Sequence, residues 1–425
     1  MERILILNGA CIHYYKPLTI ITKMKILLLT QWFEPEPTFK GLLFAQELRR
    51  QGHEVEILTG FPNYPGGKVY DGYKILPYQK EVLDGFTIHR APLYPSHDSS
   101  AIKRILNYLS FSVSSTIIGL LKVRSVDVIY SYHPPLTTSI SAALLGIFKR
   151  TPFVIDIQDL WPDTLAATGM LNNKKALKII SLVCKFVYKR ASKIVVLSPG
   201  FKKRLVSRGV PDSKIEVIYN WCNEPALNNY EKCKVSLPSN GKLNLVFAGN
   251  LGLAQGLPAI LDAAEILMKK EIDVNVVFVG DGVAKKDAVQ ISQDKKLTNT
   301  FFLPRVPMNQ VGSLLNDADM LLVHLNDEEL FRITIPSRTQ ANLAIGKPII
   351  MGVSGDAADL IEQSEAGVTC KPNNPESLAD AINSVVCKSP LELEKMKKNA
   401  KHFYYEELSL KKGVERFISV FKEVL

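Results

Sequence analysis

The chain has 425 residues, 46% of them hydrophobic, enough to bury two sizeable cores, and a formal charge of +10 from 52 Lys and Arg against 42 Asp and Glu. No run of 18 or more consecutive apolar residues occurs, and the six cysteines at 11, 184, 222, 233, 370 and 387 lack Cys-x-x-Cys spacing, which argues against a simple membrane span, a structural zinc and a disulfide framework and suits a reducing cytoplasm. Residues 1–222 hold 29 basic against 16 acidic side chains and residues 223–425 hold 23 against 26, so the positive excess lies in the N-terminal half.

In chain order, residues 1–23 are apolar but interrupted by His13 and Lys16, with no convincing cleavage site after them. They are expected to form an extension outside the core, with Met24 as the true start. Strand signals at 26–29, 55–58, 128–130, 153–157 and 194–197 alternate with helical stretches, the spacing of βαβ units. Residues 105–121 carry no charge, are flanked by Lys103-Arg104 and Lys122, and are diluted by serines at 110, 112, 114 and 115. Slightly short for a span of about 20 residues, they suit either a helix lying on a membrane or a core helix of the first domain. Residues 174–193 interleave Lys178, Lys185, Lys189 and Arg190 with Leu177, Ile180, Val183, Phe186 and Val187, a basic amphipathic helix suited to an anionic membrane surface. A solvated basic face accounts for the same residues. No helix-turn-helix, zinc-finger or RNA-binding signature accompanies the charge, so nucleic acid is not expected as a partner.

The rhythm lapses over 223–240, through Pro225, Asn228-Asn229 and Pro238-Ser239-Asn240, which reads as a linker. It restarts at 243–247 and continues at 274–279, 300–302, 320–323, 349–351 and 367–369. Two facing, doubly wound α/β domains follow, 24–222 and 241–405, with ligands at the carboxyl ends of the strands and a terminal helix in 406–425 returning to the first domain.

The loops after the strands carry the chemistry. Gly249-Asn250 leads through Gly252 and Gln255-Gly256 into a helix, and Gly280-Asp281-Gly282 follows the next strand; such turns let backbone approach a phosphate, though each is common without a ligand. A helix beginning at Ser337 would aim free N–H groups at an anion. Arg338 in its first turn runs against the macrodipole preference for acidic residues, so a ligand explains it better than helix stability does. An ordinary capped helix before a buried strand is the alternative, but two glycine loops and this helix on one domain edge favour phosphate.

Four segments carry a resemblance: Gln31-Trp32-Phe33-Glu34-Pro35-Glu36-Pro37, Gly60-Phe61-Pro62-Asn63-Tyr64-Pro65-Gly66-Gly67, Asp159-Leu160-Trp161-Pro162-Asp163 and Ile335-Pro336-Ser337-Arg338-Thr339-Gln340. From Met24 onward the chain resembles bacterial glycosyltransferases of family 4, which have the GT-B fold of two facing Rossmann-like domains, and most of all the colanic-acid and O-antigen group that includes L-fucosamine transferases.

The resemblance implies a nucleotide-sugar donor on the C-terminal domain, held by Gly249, Asn250, Gln255, Gly256, Gly280, Asp281, Gly282, Arg305, Ser337, Arg338 and Gln340. The acceptor would lie on the N-terminal domain, with Gly41 and Trp161 in the cleft. Asn250 and Gln255 stand where relatives carry Arg and Lys, so Arg338 or Lys347 would supply charge to the diphosphate. The familiar glutamate pair falls at Ile333 and Ala341, with Gln340 as the substitute for ribose contact. Gln158-Asp159 replaces a usual His-Asp. Asp159 would orient the acceptor hydroxyl or stabilise positive charge at the sugar carbon, and His133 would supply the missing imidazole. Thr38-Phe39-Lys40 replaces paired glycines beside Gly41.

The implied reaction is retaining transfer without a covalent enzyme intermediate, with no cofactor, no metal and activity that survives chelation. The expected donor is UDP-linked N-acetyl-L-fucosamine or a similar deoxyamino sugar. The expected acceptor is a glycan on undecaprenyl diphosphate in O-antigen, capsule or exopolysaccharide biosynthesis, with the enzyme peripheral to the inner face of the cytoplasmic membrane. A nucleotide-sugar epimerase of the same fold and a noncatalytic scaffold in polysaccharide assembly are the rival readings.

Overall fold

The computed structural model describes residues 6–7, 10–11, 23–96, 101–167, 171, 173–228 and 230–425; His13 and Lys16 of the expected extension lie outside the described residues. Strands β1 (Ile6–Leu7) and β2 (Ala10–Cys11) pair with each other. An eight-stranded sheet follows, built from β3 (Lys25–Leu29), β4 (Glu54–Gly60), β5 (Gln79–Leu83), β6 (Phe86–Ala91), β7 (Val128–His133), β8 (Phe153–Ile157), β9 (Lys193–Val196) and β10 (Ile215–Val217), in the order β10-β9-β8-β7-β3-β4-β6-β5. Every pair is parallel except β5 with β6. The inner strands are buried along nearly their whole length because helices cover both faces, so they read as apolar runs without alternation. Those helices are α1 (Leu42–Arg50), α2 (Ala101–Leu121), α3 (Leu136–Lys149), the short α4 (Asp163–Ala167), α5 (Lys174–Arg190) and α6 (Pro199–Ser207).

After α7 (Glu224–Asn228) comes a six-stranded parallel sheet of β11 (Leu243–Ala248), β12 (Val274–Val279), β13 (Thr300–Leu303), β14 (Met320–His324), β15 (Ile349–Gly352) and β16 (Gly367–Thr369), ordered β13-β12-β11-β14-β15-β16. Its helices are α8 (Leu257–Lys269), α9 (Lys285–Asp294), α10 (Met308–Asp317), the short α11 (Glu329–Arg332), α12 (Ser337–Ile345), α13 (Asp356–Ser364) and α14 (Pro375–Val386), followed by α15 (Pro390–Phe403) and α16 (Leu410–Glu423). The side on which successive strands are added reverses between β3 and β7 in the first sheet and between β11 and β14 in the second, the strands themselves staying parallel. Open α/β sheets bind ligands at the carboxyl ends of such strands.

Three features depart from the sequence reading, the first being the edge strand β10, which no predicted strand covers. The β5–β6 hairpin was not anticipated, although Asp84 (φ 49°) and Gly85 (φ 77°) form the Asp-Gly turn that suits a two-residue hairpin loop. Within 223–240, α7 lies against α10, and Gly312 makes room for Tyr230: a Cβ there would sit 2.5 Å from the Tyr230 ring.

The last helix returns to the first sheet. Phe417 of α16 packs 5.3 Å from Phe44 and 5.5 Å from Tyr130, ring centre to centre, and Trp221 and Phe421 complete a buried aromatic cluster. The turn into α16 is anchored by Tyr404, whose hydroxyl donates to Glu224 (2.9 Å) and accepts from the Cys222 N–H (3.2 Å). Beneath this cluster, Lys40 and Asp156 form a fully buried ion pair at 2.5 Å. Tyr130 donates to the same carboxylate oxygen (2.6 Å), the Gln158 amide donates to the other (2.6 Å), and Lys40 lies over the rings of Trp221 and Phe417.

Helix α2 serves as a core helix on one side, where Gly119 meets Leu145 and the hydroxyls of Ser115 and Thr116 donate to Ser141. On the other side Ile102, Ile105, Leu106, Leu109, Val113 and Ile117 form an exposed apolar stripe at helical spacing. Among the described residues this is the one helix long and apolar enough to cross a membrane, with 39% of its apolar window buried in the protein.

Candidate active site

The two glycine loops of the second domain are stitched to each other. Gly249 N–H donates to Val279 O (2.9 Å) and Leu251 N–H to Asp281 O (2.9 Å), while Gly280 N–H ties the second loop to Leu303 O at the end of β13 (3.3 Å). Gly280 has φ 147°, and a Cβ there would lie 1.9 Å from Gly249 O, so no other residue fits. Gly256 (φ 61°) turns the chain into α8, where a Cβ would meet Asn326, Asn373 and His324 at 2.8 Å. Buried His324 is held on both nitrogens: Asn373 N–H donates to Nε2 (3.3 Å), which assigns the proton to Nδ1 for donation to Gln255 O (2.8 Å). Burial, then the Arg338 charge, holds its pKa down.

Arg338 completes this edge. Its guanidinium lies 4.2 Å from the Phe247 ring centre, and a Cβ on Gly249 would come within 3.4 Å of Nη2. It makes no hydrogen bond or ion pair among the described residues, and Nη1 is buried without a partner. Burial pulls the group down to about 10, so it stays protonated at neutral pH. Desolvating part of a cation without a counter-charge costs free energy, and an anion bound beside Gly249 would offset that cost.

The other predicted donor residues differ in what they can still offer. Asn250 lies over Gly252 and Gly282, with its amide beside the loop and no hydrogen bond among the described residues. Gln255 braces the loop instead: its carbonyl oxygen accepts from Gly252 N–H (2.9 Å). Asp281 accepts from its own neighbour Gly282 N–H (2.9 Å). Arg305 is exposed in the loop after β13, on the same edge. Ser337 is exposed at the start of α12, where no side chain caps the helix, leaving first-turn N–H groups for a ligand.

Three expectations are corrected. Gln340 is 2% exposed, and in the amide orientation that satisfies it, it donates to Pro336 O and Ser337 O at 3.0 Å, so it closes its own helix turn rather than facing a ribose. Lys347 follows the far end of α12, about 13 Å along a nine-residue helix; its charged neighbours are Lys397, Asp319, Asp317 and Lys401 at the opposite edge of the sheet. Gly41 makes room for protein: a Cβ would meet Thr38 at 2.3 Å and the Glu34 carboxylate at 2.6 Å, and that carboxylate accepts from Leu42 N–H (2.9 Å) at the start of α1.

On the first domain, Asp159 follows β8 with no hydrogen bond to its carboxylate among the described residues, and burial pushes its pKa up. Tyr108 and Tyr132 lie within reach of its charge; burial first, and that charge in part, raise both phenols. His133 is fully buried, edge-on to Trp161 at 5.6 Å, with both ring nitrogens unpartnered. Burial holds it down at about 4, so it is neutral. The Phe-Pro-Asn-Tyr run docks on Glu36, which accepts from Asn63 N–H and Tyr64 N–H at 2.7 Å each, while Asn107 joins Gln31 (2.5 Å) to this region. Trp32 lies against Tyr64 at 4.7 Å.

The loops at the carboxyl ends of the two sheets meet. Ser198 Oγ donates to Ile333 O (2.6 Å), Gly200 N–H donates to the Asp356 carboxylate (2.7 Å), and Arg204 pairs with Glu329. Ile333 is seated on Gly200, where a Cβ would come within 2.4 Å. An apolar side chain therefore occupies an interdomain contact at the position where the resemblance implies a glutamate. Beside it, Leu160, Asp163, Glu328 and Leu330 line a crevice of about 230 Å³. Sequence reasoning missed Lys40, Asp156 and His324; the one available signal was an aspartate inside the apolar run Phe153–Ile157.

Comparison with known proteins fits this arrangement. Residues 42–221 match the family model described as a glycosyl transferase 4-like domain, and residues 230–403 match glycosyl transferases group 1. A glycosyl transferase assigned to colanic acid biosynthesis in Escherichia coli strain K12, WcaI, is 26% identical over 85% of this chain and 92% of its own length. A GDP-mannose-dependent alpha-mannosyltransferase of Mycolicibacterium smegmatis is 21% identical over 81% of this chain and 84% of its own. In fold, the chain is similar to Anabaena Alr3699/HepE, crystallised with UDP and glucose, at TM-score 0.64 and 15% identity, covering 94% of this chain and 100% of that one.

Proposed function

The chain is a glycosyltransferase of GT-B fold, built from a glycosyl transferase 4-like domain and a glycosyl transferases group 1 domain, and from that premise we propose that it moves a sugar from a nucleotide diphosphate to a lipid-linked glycan. The observation that carries the donor side is Arg338, a half-buried cation beside Gly249 and the start of α12, unpaired among the described residues and with Nη1 buried. The leaving diphosphate sits against that guanidinium and the free N–H groups of the first turn, which stabilise the charge that grows as the anomeric C–O bond breaks. The acceptor oxygen bonds to the same face of the sugar, with retention, and its proton passes to the departing diphosphate. Asp159 orients the acceptor hydroxyl or supports positive charge at the sugar carbon, with the tyrosines around it offering stacking faces for a glycan.

The donor is UDP-linked N-acetyl-L-fucosamine or a similar deoxyamino sugar, and the acceptor is a glycan on undecaprenyl diphosphate. The base rests on the resemblance, since similar proteins include both a GDP-mannose-dependent enzyme and one crystallised with UDP. The protein works at the inner face of the cytoplasmic membrane, supported by the exposed apolar stripe of α2 and the lysines of α5.

Thermal stabilisation by UDP-, GDP- and dTDP-sugars tests the reading, with wild type beside Arg338→Ala. One nucleotide class should shift the melting temperature, and the variant should bind it at least about tenfold more weakly, the loss of one charge-assisted contact. No shift with any nucleotide sugar would overturn the donor site and favour the scaffold reading.

A further inference from the structure

Between α2, α3 and α5 runs a groove of about 330 Å³ whose walls include Ile105 and Leu109 of α2, Ile140 of α3, and Ile179, Ile180 and Val183 of α5. Among the described residues no acidic side chain lines it, and Arg104 is the one charged group there and has no partner. Trp161 also lines it, the residue that packs on His133 and follows Asp159 by two positions, so the groove reaches the acceptor side of the candidate active site. Thr137, in the first turn of α3, lines it as well; it is 9% exposed, its hydroxyl has no partner, and α3 lacks a side-chain cap.

We propose that this groove seats the isoprenoid chain of the lipid-linked acceptor, with the chain's phosphate at Arg104 and the N-terminus of α3. The inference rests on the glycosyltransferase reading above and adds where the lipid lies. The chemistry favours a hydrocarbon: an extended peptide would bury a row of N–H and C=O groups against walls that are mostly aliphatic, whereas an isoprenoid has none to satisfy. The phosphate end is argued by the unpaired Arg104 and the unpartnered Thr137 hydroxyl beside an uncapped helix start, which attract an anion and no cation. Continuity with the apolar exterior supplies the route. Ile105, Leu109 and Ile179 belong to both the groove and the exposed stripes, and Val113 on α2 and Leu182 on α5 extend those stripes away from it.

The test is calorimetric binding of farnesyl phosphate to the full chain without vesicles, with inorganic phosphate as the second probe. Wild type should bind farnesyl phosphate saturably and inorganic phosphate far more weakly. Leu109→Glu and Ile179→Glu, at sites 46% and 61% exposed and so tolerant of a polar side chain, should each weaken binding at least about tenfold by placing a charge against the chain. Val113→Glu, on the same helix but outside the groove, should leave it unchanged. No saturable binding, equal binding by the groove variants, equal loss in Val113→Glu, or displacement by equimolar inorganic phosphate would overturn the proposal. The nucleotide-sugar melts on the same variants separate the two claims. Donor stabilisation without farnesyl phosphate binding overturns the groove and leaves the transferase; the converse removes the donor site while the groove stands.

Discussion

Arg338 shows how a residue's neighbours, more than its identity, give it a role. The sequence marks it as a cation out of place at a helix start, and its surroundings, an aromatic face and a glycine with no carboxylate, are what the proposed anion site needs. In the proposed mechanism Asp159 acts in the reaction itself, so Asp159→Asn should lower kcat by about 100-fold or more with little change in the donor's KM, the pattern of an interaction made only in the transition state. Equal loss in both parameters would assign it to binding. His133 makes a pH prediction. Its imidazole is held at about 4 by burial against an ordinary value of 6.5, so the unfolded chain takes up the proton first as pH falls. The stability that depends on a neutral His133 is complete above pH 6.5 and drains away toward pH 4, by about 3 kcal/mol. Urea melts across that range should show a steeper loss in wild type than in His133→Asn, and parallel curves would mean that the ring is hydrated in solution.

At the scale of elements, α5 illustrates what a helical pattern contains and what it leaves open. Its basic, amphipathic character is plain in the sequence, and Asn173 caps it as such a helix requires, accepting from Lys175 N–H and Ala176 N–H. The inward stripe turns out to be Ile180, Val183, Cys184 and Val187, while Ile179, Leu182 and Phe186 face outward among the lysines. Two apolar stripes on one helix are more than a soluble core needs. Replacing Lys185, Lys189 and Arg190 by Glu should release the protein from vesicles containing anionic lipid, since each basic residue near such a surface contributes about 1 kcal/mol. Unchanged sedimentation would remove α5 from the membrane-facing side. The same reading applies to α2, where an interfacial helix and a core helix were alternatives and the structure makes its two sides different.

For the whole molecule, the feature of most consequence is the closure of the chain on itself. Helix α16 completes the core of the first sheet, and its Phe417 roofs the buried Lys40–Asp156 pair together with Trp221, at the end of that sheet's own segment. Burial pulls the Lys40 ammonium down, and the carboxylate 2.5 Å away opposes that shift. Removing one partner leaves the other buried and uncompensated. Lys40→Met should therefore cost about 3–5 kcal/mol in urea unfolding, and Lys40→Met with Asp156→Asn should recover much of it. A single variant within 1 kcal/mol of wild type would show that water reaches the pair. The cleft inherits this arrangement, because Gln158, beside Asp159, bridges Asp156 to Asn220.

The inner strands of the two doubly wound sheets, the glycine loops and the anomaly at Arg338 were legible in the amino-acid order, because buried strands, glycine turns and helix starts are local patterns that residue spacing dictates; β5, β6 and β10, toward the edges of the first sheet, were not. Gln340, Gly41 and Ile333 were not. A glutamine donates to its own helix turn or to a ribose with the same amide, a glycine yields its space to a glutamate or to a substrate, and an isoleucine in place of a glutamate looks like a loss until it is found seated on Gly200. Each of those outcomes depends on residues far away in the chain, as do the Lys40–Asp156 pair and the groove between α2, α3 and α5, and contacts between distant segments come into being only when the two sheets and the returning helix are in place.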